Sequence, residues 1–320
     1  MNFSVYKETS LLYRKTDVSI WQGRIDHEVD SAYFRYHQIV QVEPTTEHGK
    51  IGLVGFSCDE GVRRNNGRVG AKDAPLALRK QLASLPWRNH VQPNSLMDFG
   101  DIVCEGHELE QAQLELGDKV SDILTNGKAI VLGGGHETLY GQYLGVRKAV
   151  GTEASIGLLN IDAHFDMRAY DEQTSSGTMF KQILDEDPNA HYFVCGIQQY
   201  GNTTALFNTA AQYNVHYFLD EQLESPQFNK DLTDFMDAHD VLLVTLCMDV
   251  LNAAEAPGVS APSPFGLSAI KVRDILRQMV SHKNTVSFSI CEVNPSLDIN
   301  NQTAKLGAYF INEVIMNSFE

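Results

Sequence analysis

No apolar run in this 320-residue chain approaches the roughly 18–20 residues that a membrane-spanning helix needs. The first ten residues, MNFSVYKETS, lack the charged-then-apolar pattern of a secretory signal. Positive charge is scarce as well. Lys and Arg number 25 against 41 Asp and Glu, giving a formal net charge of −16 and a sequence pI of about 5.0. That balance argues against nucleic acid or an anionic membrane surface as the main partner. It leaves small anionic substrates open, because a local Arg cluster can overrule the global field. Cysteines are few and odd in number: Cys58, Cys104, Cys195, Cys247 and Cys291. Most sit in apolar, strand-like runs, which fits reduced thiols in a cytoplasmic protein better than a disulfide framework. Internal repeats and low-complexity tracts are missing, and nothing within the chain's second part reads as a domain boundary.

What is present is a regular alternation. Apolar strand-like runs at 50–56, 97–104, 156–166, 190–198, 215–220, 240–250 and 285–295 are separated by helical patterns. In residues 108–127, for example, Leu109, Ala112, Leu116, Val120 and Ile123 recur at spacings of three and four, and Asn126-Gly127 closes the helix. Asp73 and Pro75 read as N-cap and first turn of another helix. Strands that are apolar on both faces and alternate with helices imply an α/β fold, a doubly wound, mainly parallel sheet covered on both sides. Residues 1–48 read as an N-terminal extension with some helix, packed on the main domain, and 49–320 as a single α/β catalytic domain. In WQGRID (21–26) and FRYHQIV (34–40) the expectation is structural: an Arg stem lying over a neighbouring ring.

The chemistry gathers at strand ends. In IGLLNIDAHFDMR (156–168), Asp162, His164 and Asp166 occupy every second position, so an extended chain points all three the same way. Two carboxylates and an imidazole suit a divalent cation of the Mn/Zn/Fe class. His136 follows the glycines of GGGHE, where a loop leaves a strand. That loop has neither a P-loop's Lys-Ser/Thr nor the spacing of a dinucleotide site, so the glycines read as room for His136 and a ligand. Cys247 and Asp249 end a third strand, and Glu292 ends a fourth. Ligand sites of doubly wound sheets lie at such carboxyl ends. The first three strand ends offer six ligands, with Asp162 able to bridge two ions. Two metals ~3.5–4 Å apart can deprotonate a water at neutral pH for attack on an electrophilic carbon. Arg63, Arg64 and Arg68 lie in a Gly/Asn-rich stretch, expected to be loop, that either holds a carboxylate or is a solvated charge run.

Taken together, GGGHE, DAHFD, CMD followed by APG, and GVRRNNGRVGAKDAP resemble the ureohydrolases, the arginase and agmatinase family, from residue 50 to 317. Within that family WQGRID, FRYHQ, Arg168, SSGT (175–178) and PGVSAP (257–262) resemble the formimidoylglutamase subgroup. The resemblance implies a three-layer α/β/α fold, two Mn²⁺ ions with a bridging hydroxide, and hydrolysis of N-formimino-L-glutamate to L-glutamate and formamide in histidine breakdown. It implies that His136, Asp162, Asp166 and Cys247 hold one ion, and Asp162, His164, Asp249 and Cys247 the other. Asp166 would also orient the nucleophile, and Glu292 would meet the cationic amidine. Arg63, Arg64, Arg168 and Ser176 are the expected substrate-binding residues. The partner implied is a small molecule, with oligomeric state left open.

Two positions depart from the family pattern. Cys247 stands where the family carries a bridging Asp, and thiolate is a soft donor for Mn²⁺. It is either a ligand or a buried free thiol. Ser176 stands where arginase-like members carry a proton-shuttling His, which argues against a true arginase. Competing readings are an agmatinase- or guanidinobutyrase-like hydrolase, or a metal-binding protein with weakened activity. Agmatine bears no carboxylate for Arg63, Arg64 and Arg168 to meet, so an acidic substrate is favoured.

Overall fold

The computed structural model describes residues 12–42, 51–88 and 95–318. The expected boundary at residues 48 and 49 lies outside them. Strands buried along nearly all of their length form the centre: β2 (Ile51–Ser57), β4 (Lys128–Leu132), β5 (Ile156–Ile161), β8 (Val241–Cys247) and β9 (Thr285–Cys291). With β1 (Tyr13–Arg14), β3 (Leu96–Val103), β6 (Ala190–Ile197) and β7 (His216–Leu219) they make a sheet of order β1-β3-β2-β4-β9-β8-β5-β6-β7. All neighbours are parallel except β1 on β3.

Side chains alternate along each strand, so successive residues enter different cores. Ile51, Leu53, Leu159 and Leu242 pack with α2 (Ala74–Ala83), α7 (Pro226–Asp237), α8 (Ala269–Val280) and α9 (Gln302–Asn317). Val54, Phe56, Leu158 and Leu243 pack with α3 (Leu109–Leu124), α4 (Thr138–Val150), α5 (Met179–Glu186) and α6 (Thr204–Gln212) on the other face. This is the three-layer α/β/α arrangement. The stripe read on α3 is buried as expected. It meets α4 at very short range: a Cβ added to Gly145 would stand 2.5 Å from Val120 Cβ.

The stretch expected to be loop contains a short helix, α1 (Glu60–Arg64), closed by Asn66 at φ 58°. Its helical turn brings both Arg63 and Arg64 back onto Glu60, a local pairing that composition alone did not reveal. Asp73 precedes α2 without capping it through its side chain, although Pro75 does sit in the first turn.

Among its described residues, the N-terminal segment supplies the edge strand β1 and three short 3-10 helices. Arg24 and Arg35 do not lie over rings as expected; both pair with Asp26, since a carboxylate within reach outcompetes a ring face. Trp21 and Thr16 both donate to Asp98, at 2.8 and 3.0 Å. Asp98 is also held by two guanidinium nitrogens of Arg79, and both charged side chains are fully buried. The segment is thereby fixed to the sheet through one satisfied, buried ion pair.

Candidate metal centre

Four strand ends meet where the sheet order places β4, β9, β8 and β5 side by side. After β4 the chain makes the turn Gly133–Gly135 and delivers His136. The glycines let the turn pack closely against neighbouring backbone and side chains. A Cβ on Gly134 would lie 1.8 Å from the Cys58 oxygen, and one on Gly135 would lie 2.1 Å from Glu137 Oε2. Gly133 N–H donates to the Ile290 oxygen at 2.8 Å, tying the turn to β9.

β5 ends at Ile161, earlier than residue 166. Asp162, His164 and Asp166 therefore do not owe their common direction to strand alternation. Asp162 Oδ1 accepts the His164 N–H at 2.8 Å, Asn202 Oδ1 accepts the Phe165 N–H at 3.1 Å, and Asp166 adopts φ 49°. Likewise β8 stops at Cys247, and a 3-10 turn (Met248–Val250) presents Asp249. Glu292 follows β9 at φ 67°, and its N–H donates to the Gly134 oxygen. Left-handed backbone is uncommon for such residues and costs of order 1–3 kcal/mol; it concentrates at functional sites.

Two donor sets result. Atoms of His136, Asp162 and Cys247 lie within 4.8 Å of one another, as do those of Asp162, His164 and Asp249. Asp162 belongs to both: Oδ2 lies 3.0 Å from His136 Nδ1, and Oδ1 lies 3.6 Å from His164 Nδ1. Asp166 Oδ2 lies 2.9 Å from His136 Nδ1, and Asp249 Oδ2 lies 3.2 Å from His164 Nδ1. Cys247 falls in the first set, and the 3-10 turn carries Asp249 to the second.

Burial opposes charge on His136, but Asp162 and Asp166 overcome it and hold its pKa well above the ordinary value. His164 behaves alike, with Asp249 and Asp162 opposing the effect of burial. Burial also pushes Asp162 up, yet hydrogen bonds to both histidines leave it below the usual carboxylate range. Burial, then Asp162, raises Asp166 to about 6. Burial followed by Asp162 and Asp249 drives Cys247 far up as a thiol, and burial followed by Glu137 and Asp249 does so for Glu292. Asp249 Oδ1 is buried with no hydrogen-bond partner among the described residues. An excess of buried acid around an orphaned carboxylate oxygen fits divalent cations, and the oxygen and imidazole donors suit manganese with Cys247 as the one soft donor.

Residues behind the donors were not singled out in the sequence. Thr245 Oγ1 lies 3.1 Å from His136 Nε2 and accepts the Ser289 hydroxyl at 2.8 Å. Asn160 Nδ2 donates to Asp162 Oδ2 at 3.2 Å and to the Tyr192 hydroxyl at 2.9 Å. Thr245 and Asn160 each stand two residues before a donor at a strand end, a signal that parity could have supplied.

At the rim, Arg64 is not available to a substrate. Its side chain is largely covered, pairs with Glu60 and Glu110, and donates to the oxygens of His107 and Thr174. Arg63 donates twice to Glu60 at 2.6 Å, so its charge is also committed. Arg168 is exposed, with no ion-pair partner among the described residues. Its N–H donates to the Gly177 oxygen, and a Cβ on Gly177 would stand 3.2 Å from both Arg168 Nε and Asn65 Nδ2. Asn65 donates to Ser176 Oγ at 3.4 Å, so Arg168, Asn65 and Ser176 share one corner.

The model of the arginase family matches residues 49–317. The formimidoylglutamase of Lysinibacillus sphaericus is 53% identical over 316 residues, covering 96% of this chain and 98% of its own length. That of Staphylococcus carnosus is 40% identical over 313 residues, covering 95% and 100%. Among solved structures, formimidoylglutamase from Bacillus subtilis superposes with a TM-score of 0.81 at 22% identity, covering 89% of this chain and 91% of that one. The Trypanosoma cruzi formiminoglutamase with Mn²⁺ superposes with a TM-score of 0.75 at 25% identity, covering 84% and 93%.

Proposed function

The chain belongs to the arginase family, and from that premise we propose that it hydrolyses a linear amidine, N-formimino-L-glutamate, to L-glutamate and formamide. The observation that carries this is the pair of donor sets sharing Asp162 at the carboxyl ends of β4, β5 and β8. His136, Asp162, Asp166 and Cys247 would hold one manganese, and Asp162, His164 and Asp249 the second. Two Mn²⁺ ions there would supply Lewis-acid polarisation and activation of water near neutral pH.

The protein groups have separable tasks. The Asp162 carboxylate offers one oxygen to each histidine side, which suits a bridging position. Asp166, raised toward neutrality by burial and Asp162, can take a proton from water and return it to the departing amine of glutamate. The water oxygen becomes the carbonyl oxygen of formamide as the amidine C–N bond breaks. Glu292, buried and anchored by the His136 N–H at 3.0 Å, pairs with the cationic amidine, which relieves its own cost of burial. Arg168, with Asn65 and Ser176 beside it, supplies local positive charge for a substrate carboxylate in an acidic protein.

The test is a substrate panel of formiminoglutamate, agmatine, 4-guanidinobutyrate and arginine, run after metal depletion and manganese reconstitution. Formiminoglutamate should have the highest kcat/KM, and depletion should abolish turnover. Preference for agmatine, or activity indifferent to depletion, would overturn the reading.

A further inference from the structure

We propose that Cys58 and Cys104 form a redox-reactive dithiol, a modification site that low-molecular-weight disulfides convert reversibly into a Cys58–Cys104 disulfide. Neither residue has a part in the hydrolysis. β2 and β3 are parallel neighbours with Ser57 opposite Val103, and the Cys104 N–H donates to the Ser57 oxygen at 3.1 Å. The two cysteines therefore leave adjacent strands side by side. Strand neighbours are ~4.8 Å apart, inside the roughly 4.4–6.8 Å Cα separation that a disulfide spans.

The two cysteines open onto one cavity. Contact with Cys58 is the largest influence on Cys104 and lowers its pKa, while contact with Cys104 is the largest influence raising that of Cys58. Both line a cavity of about 290 Å³ with Asp59, Glu60, Lys72 and Gly106. Cys104 is partly exposed and Cys58 is buried. The other three cysteines are buried, and burial pushes each of their thiols up. Access thus singles out Cys104 as the attacking thiolate. It displaces one thiolate from the small disulfide and becomes a mixed disulfide. Cys58, on losing its proton, then attacks the Cys104 sulfur and displaces the second. Two protein thiols become one disulfide, the reagent is reduced to two thiols, and the two protons leave with them.

The bond would be felt at the metal centre. The Cys58 oxygen accepts the Gly135 N–H at 2.9 Å and abuts Gly134, so Cys58 braces the turn that positions His136. Drawing Cys58 toward Cys104 loosens that brace.

Full-length, manganese-reconstituted protein is treated with oxidised glutathione, alkylated without reduction and mapped by mass spectrometry. Peptides carrying Cys58 and Cys104 should be joined, with a mass lower by two hydrogens, and the other cysteines alkylated. Manganese affinity and kcat/KM should fall about tenfold or more, as when a group behind a ligand is lost, and recover on reduction. Cys104→Ser should keep its starting activity and become insensitive. Cys58→Ser should instead trap glutathione on Cys104. Recovery of both cysteines as alkylated thiols, or a link involving another cysteine, overturns the proposal. A joined pair without change in metal affinity overturns its coupling to the site. The activity readout rests on the hydrolase reading; if no amidine is turned over, the linked peptide and metal affinity still decide the dithiol.

Discussion

His136 Nε2 lies 3.1 Å from Thr245 Oγ1, on the ring edge opposite the carboxylates. An Nε2–H donating to Thr245 leaves the Nδ1 lone pair aimed at the donor cluster, the tautomer a metal ligand requires. Thr245→Val keeps the shape and removes the acceptor. Manganese should then bind about 10–100-fold more weakly, measured by chelator competition. An unchanged dissociation constant would mean that the contact does not orient the ring.

Asp162→Ala should release manganese from both donor sets and abolish turnover together, as read by metal analysis beside activity. Cys247 offers a graded test. Cys247→Asp supplies a hard oxygen donor and should keep or raise Mn²⁺ affinity, and Cys247→Ala should lower it. Equal metal content in wild type and both Cys247 variants would place residue 247 outside the coordination sphere.

Arg168→Lys retains charge but loses the planar fork that grips a carboxylate. We expect kcat/KM for formiminoglutamate to fall roughly 10–150-fold, corresponding to ~1.5–3 kcal/mol, with metal content unchanged. Wild-type kinetics in this variant would remove Arg168 from the substrate site.

The fully buried Arg79–Asp98 pair also holds Trp21 and Thr16. Asp98→Asn leaves the Arg79 charge without its full counter-charge. Unfolding free energy in urea should fall by about 3–5 kcal/mol, the range for breaking a buried pair. A loss no greater than that of an exposed pair would show that water reaches Arg79.

Glu60 gives a pH signature. Its hydrogen bond with Arg63, followed by those with His107 and Arg64, outweighs burial and holds its pKa at about 2, against an ordinary 4.5. Because the folded value is the lower one, the unfolded chain binds the proton first on acidification. The stabilisation is complete above pH 4.5 and is lost as pH falls toward 2. Urea midpoints of wild type and Glu60→Gln should therefore converge across that window. A constant gap down to low pH would contradict the sign.

The sequence by itself determined the layers. Runs such as IGLLNI and VLLVTLC are apolar on both faces, and only a sheet covered twice buries them. It also determined which strand ends carry donors, since residue type and position along the chain are local properties. Tertiary structure decided how those ends meet. β4 and β5 are separated by β9 and β8, yet His136 and Asp162 lie 3.0 Å apart, through pairings between segments distant in sequence. It decided that β5 stops at Ile161, because Asp162 and Asn202 take up the backbone N–H groups that follow. Above all it decided which arginine is free. Arg64 is held by Glu110, 46 positions away, and by the Thr174 oxygen, 110 positions away, whereas Arg168 meets no acid among the described residues. A charge is available to a ligand only if the fold brings no nearer counter-charge, and no local pattern encodes that.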